Sequence, residues 1–204
     1  MTIDPRVDIG HVHLKVADIE RSLGFYRDVL GFELQQRYGT QAAFVSAGGY
    51  HHHIGLNTWE SAGAPPPPRH STGLYHVAIR YPDRRTLADA LRRVVAAGIP
   101  LDGASDHGVS EALYLRDPDG NGIELYRDRP REDWPRSADG ELLMVSERLD
   151  VQGLLGEREL AEPVGAQQTP SSPASSPVAG TAVDGTGSAT DGAAAGRGDP
   201  AVDS

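Results

Sequence analysis

The sequence predicts an α+β fold in which paired βαβββ modules form a curved open barrel, followed by a disordered C-terminal tail. The first observation is an order of elements, strand, helix and three strands, that occurs twice in the 204-residue chain. The second is that the first strand of each module is similar in sequence, with His76 following His11 by 65 residues. The third is the tail, residues 161–204, whose small and polar residues bury too little apolar surface to offset chain entropy.

The first module is predicted over about residues 8–59. Its first strand, residues 9–16, alternates apolar side chains with His and Lys, which gives the strand one apolar and one polar face. Asp18 is placed to cap a helix with an apolar stripe, and Gly31 is placed to end that helix. Three further strands are predicted at residues 32–37, 41–47 and 51–59.

The second module is predicted over about residues 73–128. A stiff linker, residues 60–72, contains four consecutive prolines and separates it from the first module. After a strand that starts at His76, residues 86–97 have the apolar periodicity of a helix. The turn cluster at residues 117–122 lies between two apolar runs and predicts a closing β-hairpin.

The two modules together predict one domain over residues 1–136. An extension at residues 137–160 follows, and a short helix within residues 142–160 would cover the site or a dimer seam. The chain carries a formal net charge of −10, which argues against a nucleic-acid partner. It has no cysteine, which rules out disulfides and thiolate chemistry but does not indicate a compartment. Because it has no membrane-spanning apolar run and no signal pattern, we expect a soluble cytoplasmic protein without a membrane partner.

A carboxylate stands in the middle of the last apolar strand. Alternation places Ile123 and Leu125 on one face and Glu124 on the other, and no Lys or Arg neighbours Glu124 inside the strand. A buried carboxylate is costly unless it is paired or bound to a metal. The alternative is that Glu124 lies on a solvated face of an ordinary hairpin.

Two histidines complete a candidate metal site with Glu124. His11 and His76 occupy equivalent positions on the inner faces of the two first strands. Two imidazoles and one carboxylate make a facial triad that leaves open positions on the metal, and Fe(II) suits that set best, with Mn(II) as a possible substitute. The alternative is that each histidine is structural, as lone strand histidines usually are.

Residues 8 to about 136 resemble the vicinal oxygen chelate superfamily of glyoxalases, bleomycin resistance proteins and extradiol dioxygenases. The motifs that carry the resemblance are His11 with Asp18, the segment at residues 25–32, His76, and Asp-Pro-Asp-Gly followed by Ile-Glu-Leu at residues 117–125. The resemblance implies paired βαβββ modules around a divalent metal ion.

Gly55 indicates the branch of the superfamily. Glyoxalases typically carry a fourth ligand, Glu, at this position, whereas extradiol enzymes of the catechol 2,3-dioxygenase type use two His and one Glu. The resemblance to that branch implies four further catalytic residues, listed here: His52, His53, His107 and Tyr114. The family pattern favours His52 as the acid–base residue, whereas strand parity with Gly55 favours His53. The alternatives are an adventitious metal site or a wet strand end for the histidine run, and a core aromatic for Tyr114.

The resemblance therefore implies an Fe(II)-dependent extradiol dioxygenase of aromatic catabolism. Its partners would be a small aromatic diol and dioxygen, and we expect a homodimer because ring-cleaving enzymes usually carry two pairs of modules. The sequence does not decide whether the modules pair within one chain or between chains. The competing functions are a glyoxalase-type metal-dependent lyase or isomerase and a non-enzymatic protein that binds an aromatic compound.

Overall fold

The computed structural model describes residues 2–68 and 70–157 of the chain. The predicted disordered tail, residues 161–204, and residues 158–160 of the extension lie outside the described part. Within that part no helix is both long and apolar enough to cross a membrane.

The first module forms a four-stranded sheet with a helix on one face. Its elements are β1 (Val12–Lys15), α1 (Ile19–Leu23), a π-helical segment (Gly24–Val29), β2 (Glu33–Tyr38), β3 (Ala42–Ser46) and β4 (Ile54–Asn57). The strand order is β1-β4-β3-β2, with β1 parallel to β4 and the other pairs antiparallel. This is the βαβββ order that the sequence predicts.

The second module repeats this topology and adds a strand. Its elements are β5 (Val77–Arg80), α2 (Arg84–Ala96), β6 (Leu101–Asp106), β7 (Ser110–Arg116), β8 (Gly122–Asp128), a 3₁₀ turn (Arg131–Asp133), β9 (Glu147–Arg148) and α3 (Val151–Leu155). The order is β5-β8-β7-β6-β9, with β5 parallel to β8. The two sheets share no strand within the described residues, so the predicted α+β fold of paired modules is confirmed and the barrel is not closed.

Several elements differ from their predicted bounds for identifiable reasons. Helix α2 starts two residues earlier than predicted because Asp83 caps it, with Thr86 returning a hydrogen bond in a capping box. Strand β4 starts only at Ile54, so the three histidines at residues 51–53 precede it. The C-terminal helix is limited to α3, five residues long.

One hydrophobic core joins both modules. It is built from the helices and the helix-facing side of each sheet, including Leu14, Leu23, Leu56, Leu87, Leu91, Leu113, Ile123 and Leu125. The opposite face of each sheet lies outside this core: His13 and Lys15 of β1 are exposed, as are Ala78 and Arg80 of β5. The predicted inner faces are therefore the faces that the single chain leaves open.

The turn between β7 and β8 fastens the second module to the first. The Tyr26 hydroxyl donates to Oδ2 of Asp117 at 2.9 Å, and the Ala17 N–H donates to Oδ1 of Asp119 at 3.0 Å. Arg21 also pairs with Asp119. Both carboxylates are buried, at 4% and 6% exposure, and Tyr26 is fully buried in the π-helical segment. The Asp-Pro-Asp-Gly motif is thus an inter-module contact as well as a turn.

Candidate metal centre

The inner face of the second sheet brings together two of the three predicted metal ligands. His76 lies directly ahead of β5, and Glu124 lies in β8, the parallel neighbour of β5. The Nε2 atom of His76 is 2.9 Å from Oε2 of Glu124, whose side chain is 13% exposed. Two donors that bind one cation at about 2.1 Å in octahedral geometry lie about 3 Å apart. The spacing therefore suits two ligands of one metal ion.

The other ring nitrogen of His76 is unsatisfied. Its Nδ1 atom is buried and has no hydrogen-bond partner among the residues that the structure describes. Leaving such an atom unpaired costs about 1–3 kcal/mol, and metal-bound histidines usually donate their second N–H to a neighbour.

A second buried carboxylate shows how this protein satisfies a structural charge. Glu111 lies one strand away from Glu124, on the core side of β7, and contacts the guanidinium groups of Arg84, Arg127 and Arg129 at 3.0, 2.9 and 3.5 Å. In the described part of the chain, the ion-pair partner of Glu124 is His76 and no Arg or Lys reaches it. Because a buried carboxylate needs a cation, Glu124 retains capacity for a metal ion.

Tyr114 and His107 extend the site away from Glu124. Tyr114 faces Glu124 across the β7–β8 pair, and its hydroxyl donates to Oε1 of Glu124 at 3.3 Å. The same hydroxyl is 2.8 Å from Nε2 of His107, whose Nδ1 is 2.8 Å from the carbonyl oxygen of Val145. The two predicted catalytic residues thus form one chain of contacts that ends at the candidate ligand.

The hydrogen-bond chain has two proton arrangements. A carbonyl oxygen only accepts, so Nδ1 of His107 carries a proton. In one arrangement Nε2 of His107 accepts from the Tyr114 hydroxyl, and in the other Nε2 donates to that hydroxyl and frees the phenol proton for Glu124. Burial, and then the charge of Glu124, raises the pKa of Tyr114 to about 12. Tyr114 is therefore a hydrogen-bond donor at neutral pH.

The third predicted ligand, His11, and the histidine run lie directly ahead of two neighbouring strands of the first sheet, β1 and β4. The rings of His11 and His52 are in contact, with centroids 4.4 Å apart. Burial, and then the neighbouring His11, lowers the pKa of His52. His53 points away, since its Nδ1 accepts from the Ala47 N–H at 3.3 Å. The structure thus brings His52 beside His11 and leaves His53 apart, because the chain has not yet entered β4 and strand alternation does not apply.

His11 does not join His76 and Glu124 in the single chain. Across residues 2–68 and 70–157, no three His, Cys, Asp or Glu side chains are grouped so as to hold a metal ion. His11 and His52 form one cluster, whereas His76, Glu124, Tyr114 and His107 form another.

Sequence reasoning missed one residue on the inner face of β1. The ring of His13 lies over Gly55: a Cβ atom added to Gly55 would be 2.8 Å from Cδ2 of His13. Burial lowers the pKa of His13, and His11 lowers it further. The available signal was alternation, because His13 shares the face of His11, two residues earlier.

Comparisons with known proteins agree with this architecture. Residues 8–125 match the Glyoxalase/Bleomycin resistance protein/Dioxygenase superfamily, which is more than half of the chain. The protein therefore belongs to this superfamily. Among solved structures, a glyoxalase/dioxygenase from Nostoc punctiforme shares the fold with a TM-score of 0.51 and 22% identity, over 64% of this chain and 98% of that one.

Curated relatives include ring-cleaving enzymes and glyoxalases. Catechol-2,3-dioxygenase of Bacillus subtilis (strain 168) is 45% identical over 73% of this chain, which spans only 51% of that relative's length. Biphenyl-2,3-diol 1,2-dioxygenase 3 of Rhodococcus globerulus is 31% identical, over 63% of this chain and 66% of the relative. A probable lactoylglutathione lyase of Synechocystis sp. is 26% identical, over 60% of this chain and 97% of the relative.

Proposed function

We propose that the protein is a metal-dependent extradiol dioxygenase that cleaves a catechol-like aromatic diol with dioxygen. The observation that carries this proposal is the contact of His76 with Glu124 beside Tyr114 and His107, which joins two metal donors to two proton-handling groups. The 45% identity to catechol-2,3-dioxygenase of Bacillus subtilis supports the same chemistry.

In this proposal His76, Glu124 and His11 hold the metal ion, which is Fe(II) or, as a substitute, Mn(II). The donor set fits such an ion, because Glu124 lacks an Arg or Lys partner in the described chain and lies 2.9 Å from a ring nitrogen of His76. When bound, the ion supplies open positions for the two diol oxygens and for dioxygen.

A second copy of the chain supplies His11 to each site in the proposed homodimer. The helix-facing sides of both sheets are already buried in one common core, whereas the faces on the side of His11 and Glu124 lie outside that core. Pairing the first sheet of one chain with the second sheet of its partner would cover both open faces. This pairing would also bring residues of the partner chain close to the Nδ1 atom of His76, which has no hydrogen-bond partner among the described residues.

The chain's own side chains handle protons and orientation. Tyr114, which keeps its proton at neutral pH, would donate a hydrogen bond to a substrate oxygen next to Glu124. His107 would exchange the phenol proton through its 2.8 Å contact. His52, beside His11, would take or return a proton on the opposite side of the substrate, and His53 is the weaker candidate for that role because it turns toward Ala47.

Oxygen uptake and metal content test the proposed function. Protein purified anaerobically and loaded with Fe(II) should hold one metal ion per chain, consume dioxygen with a panel of catechols and form a ring-opened product with new visible or near-ultraviolet absorbance. A glyoxalase-type lyase or isomerase would instead convert a thiohemiacetal without dioxygen. Catechol binding without metal or turnover would indicate a non-enzymatic binding protein. Either result would overturn the dioxygenase proposal.

A further inference from the structure

The two modules differ at one matched pair of positions on their inner faces. In the second module, Glu124 of β8 is paired with Ala78 of β5. In the first module, Gly55 of β4 is paired with His13 of β1 in the same parallel register. In the second module the large polar side chain, Glu124, is on the inner strand and the small residue is on the edge strand. In the first module the large polar side chain, His13, is on the edge strand and the small residue is on the inner strand.

The missing side chain of Gly55 is what makes room for His13. A Cβ atom at Gly55 would lie 2.8 Å from Cδ2, 3.0 Å from Cγ and 3.0 Å from Nε2 of the His13 ring. Contacts under 3.0 Å do not occur between real Cβ atoms and a ring, so any larger residue at Gly55 would push the ring away. The imidazole thus lies over Gly55, which holds the register position in the first module that Glu124 holds in the second.

Aromatic side chains fix the orientation of this ring. Phe44 meets the His13 ring edge-on with centroids 5.9 Å apart, and Trp59 does so at 5.3 Å. Edge-to-face pairs of this kind are favourable and directional. In the described part of the chain the ring is held by these contacts and by the Gly55 gap rather than by hydrogen bonds, so its nitrogen atoms remain available to a ligand.

We propose that His13 is a further substrate-binding residue, whose ring nitrogen hydrogen-bonds an oxygen of the aromatic diol. The inference rests on the proposed function, because the substrate class is taken from it. His13 lies on the inner face of β1, and His11, the candidate ligand two residues earlier, stands directly ahead of that strand. A rigid imidazole in this place can discriminate a hydroxylated ring from an unhydroxylated one, since hydrogen bonds give larger selectivity than apolar contacts.

Anaerobic titration with a catechol tests this role without turnover. The chain has two tryptophans, so Trp134→Phe leaves the fluorescence of Trp59, which contacts His13, as the signal for binding. In this background, His13→Phe keeps an aromatic ring but removes both nitrogens and should raise the dissociation constant of the catechol about tenfold. Metal content should be unchanged. The matched control is His70→Phe, at an exposed position of the linker, which should bind catechol like the parent.

Gly55 provides an independent arm of the test. Gly55→Ala should weaken catechol binding to a similar degree, because the new methyl group displaces the His13 ring. In a His13→Ala background the same Gly55→Ala change should add nothing, since the ring that it displaces is gone.

The outcomes separate this inference from the proposed function. If the metal-loaded parent binds no catechol, the proposed function fails. If the parent binds catechol and His13→Phe binds it equally well, the role of His13 fails alone. Loss of metal from His13→Phe would also overturn the inference, because His13 would then be a ligand or a structural support of the metal rather than a substrate contact.

Discussion

At the scale of single residues, the contrast between Glu111 and Glu124 explains which carboxylate is structural. Three guanidinium groups surround Glu111, so its charge is balanced inside the protein. Among the residues that the structure describes, Glu124 contacts one imidazole and one phenol, and no Arg or Lys pairs with it. A sequence alone does not separate the two cases, because the arginines that reach Glu111 come from different elements of the chain.

Glu124→Ala should therefore remove the metal while leaving the fold intact. Three ligands leave no spare donor when one is lost, and the deleted carboxylate lies on the open face of the sheet rather than in the core. Metal analysis after anaerobic loading, together with circular dichroism, measures both properties. Full metal content in a folded Glu124→Ala variant would show that this site is not the metal centre.

Tyr114→Phe should lower turnover by roughly 10²–10⁴-fold, as expected for loss of a proton-handling group, while metal content stays the same. The hydroxyl is the only atom removed, and it links His107 to Glu124. Oxygen uptake at saturating catechol measures turnover. The exposed Tyr38 supplies the control, since Tyr38→Phe changes a side chain that is 66% exposed and should have no effect. Equal rates in the two variants would remove Tyr114 from the mechanism.

Tyr26→Phe should lower the free energy of unfolding by about 1.5–3 kcal/mol. The change removes a hydrogen bond from a buried phenol to the carboxylate of Asp117, and bonds to charged groups are worth that much. Urea unfolding of Tyr26→Phe and, as a comparison, of Tyr38→Phe measures the loss. A midpoint that does not move would show that the inter-module contact contributes nothing to stability.

At the scale of elements, local patterns predict much of the fold. Alternation and helical periodicity depend on near neighbours in the chain, so both modules, their order and the cap at Asp18 could be predicted, whereas the cap at Asp83 was missed. The choice between His52 and His53 could not, because it depends on where β4 begins. The bond between Tyr26 and Asp117 joins residues 91 positions apart, and no local pattern reports such a partner.

Replacing either of two glycines by alanine should change the stability of the protein, with opposite signs for the two positions. Gly122, at the start of β8, has no space for a side chain, because an added Cβ atom would lie 2.0 Å from the backbone oxygen of Tyr75. Gly122→Ala should destabilise the protein by about 1–3 kcal/mol and displace the neighbouring His76. Gly24, the first residue of the π-helical segment, has open space around an added Cβ atom, so Gly24→Ala should stabilise by about 0.5–1 kcal/mol. Thermal unfolding of the two variants measures both changes in stability. Melting temperatures that shift in the same direction would contradict this account.

At the scale of the whole molecule, the separation of His11 from His76 and Glu124 determines how the site can be assembled. The sequence left open whether the modules pair within one chain or between two. The described chain places the candidate ligands in two clusters on two sheets, which supports the proposed assembly between chains. Such an arrangement predicts that two inactive variants can repair each other.

Mixing unfolded His11→Ala and Glu124→Ala chains and refolding them together should restore activity. In a mixed dimer, one site combines both defects and the other site contains the intact His11 of one chain and the intact Glu124 of its partner. Random pairing then gives about a quarter of the wild-type number of sites. Each variant refolded alone is the control. If the mixture stays as inactive as its components while mixed dimers are present, the ligands of one site do not come from two chains.

The contact between the π-helical segment and the Asp117 turn also bears on the order in which the chain can be completed during synthesis. Tyr26 emerges before its acceptor, which lies 91 residues later in the chain. Until the last hairpin has been made, the phenol has no carboxylate to bind, and the Ala17 amide likewise waits for Asp119. The first module is thus translated before the residues that complete its contacts. During that interval its helical segment lacks these partners, and molecular chaperones could bind there.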